Sequence, residues 1–323
     1  LLGVEDIVAS YYDEGQHYIK EGTYSMPFLK STEILTYNTE IVQVALNKMG
    51  IQTGVENYMK NITYSDFIDL VKFVGDHKSE FDGVDEKDFV PWFYDSDSNL
   101  FITQCFQRGI NYISMNDGSG SIDFVNDGAK AMIQEYKELY SKGYMTTKGI
   151  TGEYSSNYFK NLQTAFTVGS SGGSGYNDPG VSFTAGICKM PSYTTDTERA
   201  KYVSQGLTLT ILNNSSLSKE VNDERTLYAW KFLKYILNEE NNIDMALYSQ
   251  GYVPVRESCY KNEEYAEYIS TTDTKNDYMG VCANAVVNQI KGAYYNYPVF
   301  KGSAETRDAV GDIVTNYLLG TKE

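Results

Sequence analysis

Histidine is nearly missing from this sequence: His17 and His77 are the only two among 323 residues. A Ser-His-Asp triad needs a histidine beside its nucleophile, and most zinc sites need several, so two isolated histidines leave little room for either chemistry. Both are expected at the surface. Positive charge is also short, with 27 Lys and Arg against 43 Asp and Glu, a net charge of −16. No basic run occurs, which argues against nucleic acid and anionic membrane as partners. No stretch approaches the roughly 20 apolar residues of a membrane helix. Four cysteines, Cys105, Cys188, Cys259 and Cys282, are too sparse for a disulfide scaffold and lack metal-ligand spacing. Free thiols and one or two disulfides both remain open. The opening "LLGVEDIVAS" has no initiator Met, basic segment or cleavage site, and reads like the inside of a protein.

What is present describes an ordinary folded chain, 41% hydrophobic and 22% charged, long enough for two lobes or domains. Tyrosine stands out at 29 residues. A flat apolar ring with a polar tip suits sugar-binding surfaces, although core tyrosines are the plainer reading of composition alone.

Strands and helices alternate, as in α/β layers. "GTYSMPFLKS" and "EILTYN" read as extended, and "TEIVQVALNKMG" as a helix closed by Gly50. "TYSDFIDLVKFV" reads as a helix capped by Thr63, with Asp66 three residues on. "GAKAMIQEYKELYSKG" carries an apolar stripe ending at Gly143, and "GLTLTIL" alternates as a strand does. Leu227, Trp230, Leu233, Tyr235 and Ile236 recur at helical spacing and are expected to face a core. "NNIDMALYSQG" and "AETRDAVGDIVTNYLLG" are further helices, the first stopping at Gly251.

The stretch "VGSSGGSGYNDPG", Val168 to Gly180, has five glycines and three serines behind an apolar strand. It lacks the Gly-Lys-Ser/Thr of a phosphate loop, the third glycine of a dinucleotide fingerprint and the frame of a nucleophile elbow. A strand-end loop offering hydroxyls and N–H groups to a cleft, and a plain flexible connection, both remain. "DSDSN" spaces Asp95, Asp97 and Asn99 like a calcium loop. Leu100 and Phe106 occupy the positions that need Gly and Glu, so it is read as a polar loop. Glu239 and Glu240 are assigned to a solvated turn. No acidic pair stands in a recognisable glycosidase context.

Several segments taken in order resemble the extracellular solute-binding proteins of ABC importers, in the branch that takes sugars, maltodextrins and glycerol 3-phosphate. The resemblance rests on "MPFLKSTEILTYNTE", "TYSDFIDLVK", "FKNLQTAFTVGSSGG" and "SQGLTLTIL", and most clearly on "AWKFLKYILNEENNIDMALYSQGYVPVRESCY". It implies a type II periplasmic-binding-protein-like α/β fold, two lobes joined by crossing hinge strands, with the first lobe incomplete and its opening βαβ units outside this sequence. Residues 1–32 would be the remainder of lobe 1, 33–203 lobe 2, 204–252 a return to lobe 1, and 253–323 the C-terminal helices of lobe 2. Crossings are expected near Ser31 to Leu35, Tyr202 to Gly206, and Gly251 to Val255.

The implied function is binding of a small solute and its delivery to a membrane permease, without catalysis, cofactor or metal, by a monomer at the cell surface as a lipoprotein or in a periplasm. The resemblance places Ser31 at the first crossing as a polar ligand contact. Trp92 and Tyr94 fall where aromatic platforms are supplied, Ser170 and Ser171 match strand-end hydroxyls, Gly206 the hinge glycine, and Tyr252 the turn tyrosine. Arg307 is close to the arginine frame of glycerol phosphate relatives. It either offers a fork of donors to the cleft or stays on the helix surface beside Glu305 or Asp308. A neutral sugar or oligosaccharide is expected first, because aromatics abound and cations are scarce. Glycerol 3-phosphate or a related phosphodiester, a carbohydrate-active hydrolase and a signalling ectodomain are the alternatives.

Overall fold

The structure is a computed structural model that describes residues 3–16, 18, 22–290 and 292–321. Strand β1 (Met26–Ser31) leads through one residue, Thr32, into β2 (Glu33–Asn38). Helix α1 (Thr39–Lys48) follows, its first turn capped by the Asn38 side chain, which accepts from Ile41 N. In α2 (Tyr64–Asp76) the Thr63 hydroxyl accepts from Asp66 N, the cap expected from sequence, and Phe67, Leu70 and Val71 face inward. Next come β3 (Trp92–Tyr94), α3 (Asp97–Arg108) and α4 (Asp127–Ser141). The strands β4 (Met145–Thr147), β5 (Phe166–Ser170) and β6 (Ala185–Lys189) complete this body.

These strands make a five-stranded sheet in the order β4-β3-β5-β2-β6. The pairs β3–β4 and β3–β5 are parallel, whereas β2 runs antiparallel to both of its neighbours. Helices cover both faces, so the central strands bury every side chain from Trp92 to Tyr94. Phe67 meets Trp92 and Phe166 edge-on, with ring centroids 5.5 and 5.4 Å apart.

A second, smaller body is built on the antiparallel pair of β1 with β8 (Gln205–Leu209), which follows β7 (Tyr202–Val203) after one residue, Ser204. The helices α5 (Lys219–Ile236) and α6 (Glu239–Leu247) belong to this part of the chain, and Asn242 of α6 donates to Phe28 O of β1. Of the stripe expected on α5, Leu233 and Ile236 are buried, Trp230 is half-buried, and Leu227 and Tyr235 are exposed. The helix is right and part of its core face is not, because only one edge of it packs on the residues described. Glu239 and Glu240 lie in the first turn of α6 rather than in a free turn, where carboxylates favour the positive helix end.

The short strand β9 (Tyr294–Tyr295) pairs in parallel with β7. Finally α7 (Ser303–Leu319) packs on α3 and α4 of the larger body. The division expected at 253 falls elsewhere: Val253 bridges Lys30, and Arg256 bridges Ile7. Residues 253–256 therefore stay with β1, since their backbone groups are satisfied there.

All four cysteines are buried and unpaired. Burial pushes the thiols of Cys188 and Cys282 up to about 12.

Candidate functional site

The two bodies meet where chain crosses from one to the other. Thr32, the single residue between β1 and β2, donates from Oγ1 to Val203 O at 2.8 Å, just before the second crossing. Its carbonyl accepts from Ser171 N at 2.7 Å, and its N–H donates to the Ser171 hydroxyl at 3.3 Å. The third passage docks through paired bonds between Lys30 and Val253, of 3.0 and 2.8 Å. Gly206 pairs β8 closely with β1: its φ is 112°, and a Cβ there would stand 2.3 Å from Leu29 O. Its glycine requirement thus comes from the chain itself.

The carboxyl ends of β3, β4, β5 and β6 all point to this junction, the side on which open α/β sheets hold ligands. The glycine-rich stretch behind β5 is not a loose loop. Ser171–Asn177 forms a 3-10 helix whose first turn the Ser170 hydroxyl caps by accepting from Gly172 N. Gly172 is needed because the Tyr252 ring lies on it, where a Cβ would come within 2.5 Å of the ring. Ser170 is exposed at this edge, and its hydroxyl donates to Ser31 Oγ at 3.4 Å just beneath. Ser31, Ser170, Tyr252 and Gly206 thus lie round the crossings.

Four expected contacts are corrected. Ser31 is 2% exposed, its Oγ lying beneath the Ser170 hydroxyl instead of facing a solute. Trp92 is fully buried, its indole held among Phe67, Tyr94 and Tyr136, so it is a core residue and not a platform for a solute. Ser171 is also fully buried, with its hydroxyl and N–H both bonded to Thr32. Tyr94 is 3% exposed, and its phenol donates to Glu33 Oε2 at 2.6 Å instead of facing a cleft. Trp92 and Tyr94 stand on an inner strand and Ser171 at the buried start of the 3-10 helix, and each side chain there meets protein on every side.

Arg307 reaches inward. Its Nη2 donates to Asn99 Oδ1, and the guanidinium lies over the Tyr297 ring, 5.4 Å from the centroid. The surface pairing with Glu305 or Asp308 is not what forms. Asn99 comes from the stretch read as a polar loop, which is instead the first turn of α3, capped by the Ser96 hydroxyl accepting from Asn99 N.

One residue that the sequence reading passed over sits at the centre. Glu33 is 3% exposed and accepts from Tyr94 and, at 2.9 Å, from Asn99 Nδ2. Burial pushes its carboxyl up to about 7, against the pull of Tyr94, Asn99 and Arg307. The available signal was an acid two residues after Ser31 in a strand otherwise without charge, "EILTYN". Nearby Asp95 accepts from Ser155 N at 2.8 Å, and burial raises its carboxyl as well.

A cavity of about 1110 Å³ lies elsewhere, on the flank between α2, α4 and residues 191–197, lined by Tyr64, Tyr144 and Tyr193 among others. It contains none of the expected site residues. His77 stacks on Phe73 at 4.0 Å and is half-buried, while His17 lies outside the described residues. Among the described residues no cluster of His, Cys, Asp and Glu suits a metal ion, and no helix is long and apolar enough to cross a membrane.

Two α/β bodies joined by short crossings, with a polar rim of hydroxyls, tyrosine and arginine at the junction, define a two-lobed solute-binding protein. The chain belongs to the bacterial extracellular solute-binding proteins, whose family model matches residues 3–272. Its fold is similar to that of UgpB from Mycobacterium tuberculosis in complex with glycerophosphocholine, with a TM-score of 0.71 at 17% identity, over 99% of this chain and 71% of that one. Maltose-bound MalE3 of T. maritima gives 0.69 at 13% identity, over 99% and 73% of the two chains. The cyclic alpha-maltosyl-1,6-maltose binding protein from Arthrobacter globiformis gives 0.68 at 16%, over 99% and 72%. At such identities the likeness shows the fold. No curated protein matches the sequence.

Proposed function

We propose that this protein binds a sugar or related polyol at the rim where its crossings meet, outside the cytoplasm, and hands it to the permease of an ABC importer. The observation that supports this most is the pairing of an open hydroxyl, that of Ser170, with the half-exposed ring of Tyr252. Ser170 and Ser31 lie side by side, and Tyr252 is seated on Gly172 next to them. Hydroxyls bond sugar hydroxyls, and a half-exposed phenol ring packs against sugar CH groups. The neighbours in complex with maltose and with glycerophosphocholine fit the same reading, one sugar and one phosphodiester.

The site residues are Ser170, Tyr252 and Arg307, with buried Ser31 holding the Ser170 hydroxyl from beneath and the Gly206 backbone at the edge. Thr32, Ser204 and Gly251 act as the hinge, so the two bodies close over the solute by small rotations at single residues. The role is binding without turnover. A glycoside hydrolase needs two carboxylates that reach the sugar, whereas Glu33 and Asp95 already hold Tyr94, Asn99 and Ser155.

A thermal-shift screen of neutral sugars, oligosaccharides, sugar acids and glycerol phosphates tests this. Ligand at about a hundred times its Kd adds roughly 2.7 kcal/mol, a rise of a few degrees for a chain of this size. A shift with one of these classes and unchanged ligand on recovery is the expected result. Breakdown of the sugar, or no shift with any class, would overturn the reading.

A further inference from the structure

The cavity of about 1110 Å³ on the flank of the larger body lies away from the crossings and holds none of the rim residues. One wall of it is a strap, residues 190–201, between β6 and β7, and this strap is pinned in place. The Gln107 side chain of α3 ties it at two points: Oε1 accepts from Tyr193 N at 2.9 Å, and Nε2 donates to Lys201 O at 2.9 Å. The Tyr202 hydroxyl adds a bond to Met190 O at 2.8 Å.

Tyr193 on this strap is 45% exposed, yet its ring has a fixed seat. The Arg108 guanidinium lies on it, 3.9 Å from the centroid, and Tyr64 meets it edge-on at 5.5 Å. Arg108 has 7% of its side chain exposed and is itself held from two sides. Its Nε donates to Gln104 Oε1 at 3.2 Å, and Nη2 pairs with Glu135 Oε2 at 2.8 Å. Ordering a free side chain on a ligand costs affinity, and here the fold has already done the ordering. A fixed, half-open ring is a platform for the CH face of a sugar.

The rest of the lining suits the same ligand. Ile62, Leu139 and Pro191 are buried, so rings and polar groups face the space more than aliphatic chains do. Ser65, Ser192, Thr195 and Thr197 bring hydroxyls to it. Its charges are largely matched: Lys60 with Glu56 at 2.7 Å, Lys72 with Asp69 at 3.6 Å, and Arg108 with Glu135. A matched set gives an ion of either sign little net attraction, and it still offers hydrogen bonds to a neutral polyol. The volume exceeds the roughly 300–1,000 Å³ of sites that enclose one small molecule, which leaves room for several linked sugar units.

We propose that this flank cavity is a separate carbohydrate site, which takes a neutral oligosaccharide of several units with one unit packed on Tyr193. It stands apart from the reading of the rim and does not rest on it. The helices α2 and α4 and the strap all belong to the larger body, so a chain held there stays bound whether the two bodies are open or closed.

Hydrogen exchange mapped by mass spectrometry tests this, because it shows where a sugar lies. The probes are maltohexaose, cellohexaose, xylohexaose and mannohexaose at millimolar concentration, each against the protein alone. At least one is expected to slow exchange in residues 190–201 and in the first turn of α2. Tyr193→Ala should abolish that protection and weaken the flank affinity tenfold or more, with melting unchanged. Tyr193→Phe keeps the ring and should keep the protection, whereas Tyr252→Ala should leave the flank as it is. The map of the parent needs no variant, so misfolding of Tyr193→Ala does not silence the test. Protection confined to the segments round the crossings would overturn the flank site and leave the rim reading standing. Flank protection without any at the crossings would support the flank site and leave the rim to its own screen. No protection by any of the four, or flank protection that survives Tyr193→Ala, would also overturn the proposal.

Discussion

Thr32 Oγ1 donates to Val203 O across 2.8 Å, joining two crossings that lie 171 residues apart in sequence. Both atoms are deep in the junction, where water does not replace a lost partner. Thr32→Val keeps the shape and leaves the Val203 carbonyl without its donor, at a cost of about 1–3 kcal/mol. A lower urea midpoint with an unchanged m value is the expected reading. An unchanged midpoint would mean that the crossings are held by their other bonds alone.

Trp92 separates core from cleft. Removing its ring in Trp92→Ala should cost about 3–5 kcal/mol of stability, the range for a buried aromatic, and leave the solute affinity of the folded protein unaltered. Denaturation and calorimetry on the same preparation decide it. A variant of normal stability that no longer binds would put the indole back on the cleft wall.

Tyr252 should behave in the opposite way. Its ring is half-exposed and rests on Gly172. Tyr252→Ala is expected to weaken solute binding about tenfold, the worth of one stacked ring, with little change in melting, whereas Tyr252→Phe keeps most of the affinity. Equal affinity in Tyr252→Ala would exclude the ring from the site.

Glu33 makes stability depend on pH even without solute. Its folded value of about 7 lies above the ordinary 4.5, so the folded protein holds this proton more tightly than the unfolded chain does. That contribution is fully present below pH 4.5 and is lost as pH rises through 7. Complete loss amounts to about 3 kcal/mol. Chemical denaturation of the parent and of Glu33→Gln across pH 5 to 8 reads it as a difference that changes with pH. Parallel curves for the two proteins would show that Glu33 ionises as easily folded as unfolded.

Local signals were legible in the sequence because they act locally. The cap at Thr63, the stops at Gly50 and Gly143 and the extended run in "GLTLTIL" are each settled by a few neighbours, and the chain follows them. The stretch "DSDSN" misled for the same reason: its polarity resembles a loop, yet Ser96 caps a helix there and buries Asp97 and Asn99 against partners 50 or more residues away. The rim shows the same division. Ser31 was expected at the first crossing and Ser170 as a strand-end hydroxyl, and the two side chains meet. Glu33 was not, since its importance comes from Tyr94, Asn99 and Arg307, which approach it only in the folded chain. Trp92 failed in the other direction, as an aromatic residue that suits a sugar equally suits a core.

The passage from β1 to β2 leaves one residue, Thr32, between strands that belong to different bodies. Strands alternate their faces residue by residue, so this joint has a parity as well as a length. Deleting Thr32, or adding one residue beside it, would turn Glu33 away from Tyr94 and Asn99 and swing Ile34 into its place, reversing the next strand face by face. Ser204 imposes the same constraint on the return path. A reporter domain or affinity tag therefore belongs in an exposed stretch such as residues 212–217, where added length is absorbed, and never at either one-residue bridge.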